Sequence, residues 1–297
     1  DITSAYEPGA LRILALHRLA GRLGTRTALF GQGLGPIRSE RVLETARAVL
    51  PRAELIAIRE KRTGLTLLDT IGVERNHVMV TGDDALELAY TENGNGPGRG
   101  IGINLRCAPY SAVDNRLVDV LRPVLHEAAR RHSAPLVPVP VLIETIDSDV
   151  SDVQTIRKLL DGYSGETAGW ETIETPQQLI RQIGQCRVVV TGSYHAAVFA
   201  LGQGVPAVGL ARSEYYVDKF LGLADLFGRG CELVQLDEPG FPERLGSAID
   251  RAWNTADEVR PLLLAAAAEQ VLASKSAYTR LYELVNGRRP AGGIAAS

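Results

Sequence analysis

The residues able to do chemistry gather in a few short strings. Ile103-Asn104-Leu105-Arg106 closes one apolar run, and Thr191-Gly192-Ser193-Tyr194-His195 closes another. A Gly-Ser pair between a strand and a helix turns backbone N–H groups, reinforced by the helix dipole, toward whatever lies beyond the strand. Such a turn suits a phosphate or carboxylate, with Gly192 and Ser193 among its donors and Asn104 on the facing strand. Arg106 brings a planar fork that can grip the same anion in two places; an ordinary surface ion pair is the plainer alternative. At a helix start the cationic form of His195 is disfavoured by about 0.3–1 kcal/mol. A bound phosphate would oppose that, so His195 is the expected acid once an anion arrives. The plainer alternative makes Ser193 a helix cap beside a structural histidine.

A third string, Ser213-Glu214-Tyr215-Tyr216-Val217-Asp218-Lys219-Phe220, is dense in polar and aromatic residues. Lys219 could reach the same anion, and Tyr215 or Tyr216 could stack on a sugar. Alternatively Phe220, Leu221 and Leu223 pack inward and leave Lys219 solvated. Nearer the start, Gly31-Gln32-Gly33-Leu34-Gly35-Pro36 follows a strand. Its sixth position is proline and the following strand offers no acidic residue, so it is not a dinucleotide fingerprint. A tight glycine turn lining a cleft, with Gly33 in contact with substrate, is the remaining functional reading. Asp83 ends a strand of the same region and could act as a general base toward a hydroxyl; a turn with Asp84 as helix cap is the alternative. The histidines show no zinc spacing, and no metal is expected.

These strings sit on alternating short apolar strands and amphipathic helices, the pattern of an α/β protein with parallel sheets. The expected order begins with a loop over 1–8, a helix over 9–23, and strands over 27–30, 55–58 and 78–80. Ser39 is placed to cap a helix running to Leu50, and another helix spans 60–70. The Gly/Asn/Pro-rich stretch 91–100 has no apolar period and reads as a linker. Beyond it, strands near 101–105, 136–139, 171–173, 188–190, 207–210 and 232–234 alternate with helices. Six strands with crossovers suit a Rossmann-type sheet of order 3-2-1-4-5-6, whose ligand crevice opens between the first and fourth strands. Arg106 and His195 would then face one crevice. Helices over 239–252 and 257–285 follow, then a Gly/Pro/Ala-rich tail over 286–297 that is expected to fray. The expected organisation is a partial N-terminal domain over 1–90, a linker, a donor-binding domain over 101–256 and a C-terminal helix over 257–285.

Composition excludes several classes. The 297 residues carry 32 Lys and Arg against 35 Asp and Glu, a net charge of −3, so a dedicated nucleic-acid binder is not expected. Three scattered cysteines argue against a disulfide framework and for reduced thiols in a cytoplasmic protein. No apolar run approaches the roughly 20 residues that cross a bilayer. The chain opens at Asp1 with Met79 as its one methionine. Three strands before the linker leave an unpaired edge, so a processed or missing N-terminal portion is expected.

Taken in order, Gly31–Pro36, Ile58-Arg59-Glu60 with Thr63, Thr81-Gly82-Asp83, Gly102–Arg106, Tyr194-His195-Ala196, Gly204–Gly209 and Lys219 resemble the polysaccharide pyruvyl transferase family. The resemblance implies a GT-B-like fold of two Rossmann-type domains facing a cleft. It implies transfer of pyruvate from phosphoenolpyruvate to a pair of sugar hydroxyls, forming a ketal and releasing phosphate, with no further cofactor. The acceptor would be a cell-surface glycan or its precursor, lipid- or nucleotide-linked. By motif match, Arg106 and His195 correspond to positions that contact phosphoenolpyruvate, and Asp83 to a recurring aspartate at the cleft. Many members carry Arg-Leu-His where this chain has Ser193-Tyr194-His195; Lys219 or Arg212 would supply the missing cation. Two other readings compete: a GT-B glycosyltransferase or sugar-nucleotide epimerase, and a non-catalytic sugar-binding module.

Overall fold

The computed structural model describes residues 1–92, 94, 96, 98–108, 111–143, 151–167 and 173–287. The chain forms two compact units, Asp1–Asp84 together with the chain from Glu269 onward, and Ala85–Ala268.

The first unit holds α1 (Glu7–Arg22), β1 (Ala28–Gln32), α2 (Glu40–Val49), β2 (Leu55–Ile58), α3 (Gly64–Thr70) and β3 (Val78–Val80). The strands form a parallel sheet in the order β1-β2-β3. The central strand β2 is Leu-Ile-Ala-Ile and buried at every position, as a strand covered on both faces must be. Helix α2 turns Val42, Ala46 and Val49 inward, and Ser39 Oγ accepts the Val42 N–H at 3.4 Å, the cap that the sequence placed there. The opening segment is more ordered than the expected loop. Ile2 pairs in parallel with Leu34, Ser4–Tyr6 form one tight turn, and α1 begins at Glu7.

The second unit holds α4 (Leu86–Thr91), β4 (Gly100–Asn104), α5 (Asn115–His132), β5 (Leu136–Pro138), α6 (Asp152–Leu160), α7 (Pro176–Ile183), β6 (Cys186–Thr191), α8 (Tyr194–Gly202), β7 (Ala207–Ala211), α9 (Glu214–Phe227) and β8 (Cys231–Gln235). Its parallel sheet runs β5-β4-β6-β7-β8. That is the expected Rossmann-type order, with the strand direction of travel reversing at β4 and β6. Side-chain alternation divides the core: Val188 and Val190 join one cluster and Val189 the other. The strand expected over 171–173 does not fill the outer position among the described residues. Glu171 and Thr172 lie outside them, Ile173 is buried in the core, and Thr167 instead makes a single parallel bridge to Leu136.

Two boundaries differ from expectation. The units divide before α4 rather than in the glycine-rich stretch, because Leu86 and Ala89 are buried and a Cβ on Gly202 of α8 would lie 2.8 Å from Leu86 Cδ1. Asn93, Asn95 and Pro97 of the expected linker, and the tail from 288, lie outside the described residues. The two C-terminal helices are one, α10 (Phe241–Val285), with Pro261 inside it. No Gly or Pro falls in Trp253–Ala256 to stop the first half. As far as Ala268 this helix packs in the second unit, where Leu245, Ile249, Val259 and Leu263 are buried. Its last turns pack in the first, where Tyr278 stacks on Phe30 at 4.6 Å and Arg26 Nη1 donates to the Leu284 carbonyl at 2.7 Å. Among the described residues, no helix is long and apolar enough to cross a membrane.

Gly209 in β7 lies under the fully buried Phe220 of α9, and an added Cβ would overlap that ring. Gly209→Ala is therefore expected to destabilise the protein by about 1–3 kcal/mol, read as a lower urea midpoint at unchanged slope.

Candidate active site

The carboxyl ends of β4, β6 and β7 carry the second unit's chemistry. Asn104 and Thr191 are register partners at the ends of β4 and β6. Asn104 is 1 % exposed. Its Oδ1 accepts the Thr191 hydroxyl at 3.0 Å, and its Nδ2 donates to the Val139 carbonyl at 2.8 Å and to Asp152 at 2.9 Å. Expected as a binding residue, Asn104 instead frames the turn, with its side chain bonded within the protein. The turn itself also uses donors expected for a ligand. Gly192 N–H donates to the Asn104 carbonyl at 3.0 Å, and Ser193 N–H donates to Thr191 Oγ1 at 2.8 Å. Tyr194, His195 and Ala196 precede the first intrahelical bond of α8, made by Ala197 N–H to Ser193 O. The anion-facing donors thus move one residue along from the Gly-Ser pair. Gly192 sits close under Leu105, whose Cδ1 would lie 3.1 Å from an added Cβ and would have to give way by a few tenths of an ångström.

Arg106 does make a two-point grip, but on a residue of its own chain. Its Nε and Nη2 donate to Asp152 at 2.7 and 3.0 Å. Asp152 is completely buried and also accepts the N–H groups of Val141 and Leu142 at 2.9 Å. The guanidinium is 16 % exposed and held in a single orientation at the end of β4. Nothing local marks Asp152 in the sequence, where it reads as an ordinary acid at a helix start. Arg212, a candidate substitute cation, donates to the Ala112 carbonyl at 3.0 Å.

Helix α8 is apolar all round, as a fully enclosed helix must be. Eight of its nine residues are buried; His195, in its first turn, is the exposed one. The imidazole lies edge-on to Tyr194 at 5.6 Å and 6.4 Å from the Phe199 ring. It borders a cavity of about 210 Å³ lined by Val141, Ile173, Glu174, Thr175, Leu179 and Phe199, among others. Lys219 is held by aromatic faces, with Nζ 4.3 Å from the centroid of Tyr215 and 5.0 Å from that of Tyr194. Tyr215 is 6 % exposed, so its ring supports Lys219 rather than offering a sugar platform. A second cavity, about 410 Å³, lies at the amino end of β5 around His126 and Tyr163, away from these groups.

In the first unit, Arg59 follows β2 and is 7 % exposed between two carboxylates, Asp1 at 2.7 Å and Asp83 at 3.5 Å. Gly33 leaves room for this pair, since a Cβ there would lie 2.6 Å from Arg59 Nη2 and 2.8 Å from Asp1 Oδ1 and would push it aside. Asp83, the expected base, is thus an ion-pair partner. The reading of single residues overlooked Arg59, whose signal was its place directly after a strand. Next to it, Asp84 accepts from Ser274 Oγ at 3.1 Å. Partial burial, and then the charge of Asp83, push the Asp84 carboxyl above its ordinary range. Burial and the Asp84 charge likewise raise the Tyr278 phenol. Among the described residues, no group of three His, Cys, Asp or Glu is placed to hold a metal ion. Burial raises the thiols of Cys107, Cys186 and Cys231, which keeps them unreactive.

Solved structures share this architecture. A protein of Listeria monocytogenes assigned as a UDP-N-acetylglucosamine 2-epimerase aligns with a TM-score of 0.65 at 15% identity, covering 95% of this chain and 74% of that one. The UDP-GlcNAc 2-epimerase of Neisseria meningitidis, bound to UDP-GlcNAc, aligns at 0.60 and 13%, covering 91% and 73%. Arabidopsis thaliana UGT89C1, complexed with quercetin, aligns at 0.57 and 12%, covering 92% and 69%. These likenesses establish a GT-B-like α/β fold. Within that class, the family model for polysaccharide pyruvyl transferase matches residues 4–214, and the chain belongs to that family, as the ordered strings implied. No curated protein sequence matches the chain.

Removing Asp152 leaves Arg106 and two backbone N–H groups without their buried acceptor. Asp152→Ala is expected to cost about 3–5 kcal/mol, read by chemical unfolding, with Asp152→Asn costing less. Asp84 acts in the opposite direction. Its folded carboxyl ionises at higher pH than the unfolded one, so the unfolded chain gains charge first as pH rises. Stability therefore falls as pH climbs above the ordinary aspartate value of about 3.9. Asp84→Asn is expected to flatten that fall and to unfold at higher urea than wild type at about pH 7.

Proposed function

We propose that the protein transfers pyruvate from phosphoenolpyruvate to two hydroxyls of one sugar in a cell-surface glycan or its lipid- or nucleotide-linked precursor, acting in the cytoplasm. The family membership supports pyruvyl transfer in general. The observation that carries the donor assignment is the placing of His195, the one exposed residue of α8, and of the oriented Arg106 just beyond the ends of the neighbouring strands β6 and β4, where ligands of such sheets bind, with the caged Lys219 on α9 after the next strand.

In this reading Arg106, held by Asp152, and Lys219 attract the carboxylate and phosphate of the donor. His195 protonates the methylene carbon, which becomes the methyl of the ketal. One sugar oxygen bonds to the resulting electron-poor carbon, and the second replaces the phosphate. Of the two hydroxyl protons released, one balances that given to carbon and the other leaves on phosphate. Asp83, in the first unit, is proposed as the acceptor-side base, with Arg59 holding its charge. Ser193 and the first turn of α8 stabilise the departing phosphate, and positioning with charge stabilisation supplies most of the acceleration.

His195→Ala is expected to lower kcat with little change in donor affinity, and Arg106→Ala to raise KM for phosphoenolpyruvate. The opposite pattern in steady-state kinetics overturns these roles. Phosphoenolpyruvate at about 100 times its Kd adds about 2.7 kcal/mol of stability, so Tm is expected to rise by several degrees, and Arg106→Ala to abolish the rise. A rise with a nucleotide sugar and none with phosphoenolpyruvate would favour a glycosyltransferase or epimerase instead. Sugar binding unaffected by His195→Ala, without phosphate release, would favour a binding module.

A further inference from the structure

We propose that the outward face of α1 docks reversibly on an anionic lipid surface, with Leu16, Leu19 and Leu23 entering the headgroup layer and Arg12 and Arg22 lying against the lipid phosphates. The surface itself is independent of the pyruvyl-transfer reading. Its consequence, that the sugar acceptor is the lipid-linked form, rests on that reading.

Helix α1 is apolar on two opposite sides. Ala10 and Leu14 are completely buried and join the core of the first unit. Leu16, Leu19 and Leu23 are 67, 54 and 74 % exposed. Their spacing of three and then four residues is that of one helix face. At about 100° per residue they share an arc of roughly 60° on the side away from Leu14. A helix on the surface of a domain needs one apolar stripe, to meet the core. The second stripe on α1 has no such use. Helix α2, packed beside it, shows the ordinary arrangement, with Glu40, Arg41, Glu44 and Arg47 exposed.

The second observation is the charge around those leucines. Arg12 and Arg22 are exposed on the same side of the helix, and neither has an ion-pair partner among the described residues. Between Glu7 and Glu40 the chain carries five arginines and no Asp or Glu, although its net charge is −3. Of the five, Arg26 is paired with Glu54. The positive charge on α1 is thus left without acids of its own segment. Leucines bordered by arginines on one helix face match a lipid surface, whose apolar chains lie beneath a layer of negative headgroups. The arginine stems can lie along the leucines while the guanidinium groups grip phosphate.

The same features disfavour other occupants. A second copy would meet this face by two-fold symmetry, patch against identical patch. That contact sets Arg12 and Arg22 against their own counterparts with no acid between them, and like charges so placed repel. The leucines also span only about 10 Å of helix, a small part of the roughly 20–30 residues that each side of a stable protein interface contributes. A lipid surface receives side chains singly and sets no such minimum. Among the described residues no helix is long and apolar enough to cross a membrane, so the contact lies on the surface. Three leucines and two arginines make it a reversible one.

The test is flotation of the full chain with vesicles of equal parts phosphatidylcholine and phosphatidylglycerol, against phosphatidylcholine alone. Wild type is expected to float with the mixed vesicles only. Salt at about 1 M, where the Debye length is about 3 Å, should release it. Leu19→Gln should weaken binding about tenfold or more, and Arg12→Gln and Arg22→Gln about fivefold each. Leu19→Phe should bind as wild type does. Val120→Gln, at an exposed apolar position of α5, should change nothing. Leu19→Gln should keep the urea midpoint of wild type, because the side chain is exposed and both residues suit a helix. The proposal is overturned if wild type does not bind the mixed vesicles, or binds both kinds alike. It is also overturned if Leu19→Gln, Arg12→Gln and Arg22→Gln all bind within twofold of wild type. A dimer that Leu19→Gln dissolves overturns it in favour of a self-interface. Vesicle binding through this face, without pyruvyl transfer to any sugar, leaves the docking surface standing and removes the function proposed above. Pyruvyl transfer without vesicle binding does the reverse.

Discussion

The second unit depends on a carboxylate with no exposed surface. Asp152 draws together Arg106 from the end of β4, Asn104 from the same strand, and the backbone after β5. A buried charge is tolerable only when it is paired and fully hydrogen-bonded, and Asp152 meets that condition through five donors from two segments. Through Asn104 the same network reaches Thr191, and through Thr191 the backbone of Ser193. The turn that starts α8 is thus fixed from below by a chain of polar contacts rather than by its glycine alone. That rigidity is what a site needs when its work is to hold charge in place.

Much of the architecture was legible because it rests on local pattern. The spans of β2 and β3 follow from short apolar runs with clear punctuation, and they match the residues expected. The order of the second sheet followed from counting crossovers. What escaped was set at long range. Asp152 lies 46 positions from Arg106, and no periodicity connects them. Arg59 acquires its meaning from Asp83, 24 positions away. The continuity of α10 was missed at 253–256, a polar stretch without Gly or Pro that the helix simply runs through, as it runs through Pro261 beyond.

The candidate site was legible in type more than in detail. His195 and Lys219 stand at the strand ends where the count of elements put them. The donors of Gly192 and Ser193, and the ring of Tyr215, turned out to serve the protein itself. Residue type and strand order tell which groups reach a crevice. They do not tell which groups are already bonded when they arrive, as Asn104, a frame, is.

The long helix α10 belongs to the second unit for most of its length and to the first at its end. The first unit is therefore built from the opening of the chain and from some of its last residues, with the whole of the other unit between them. During synthesis the three-stranded sheet leaves the ribosome first, but Phe30 must wait for Tyr278 and Arg26 for the carbonyl of Leu284. The second unit, contiguous in sequence, can close as soon as residue 268 has emerged. Of the two units, the one whose strands are made earlier is thus the one completed later.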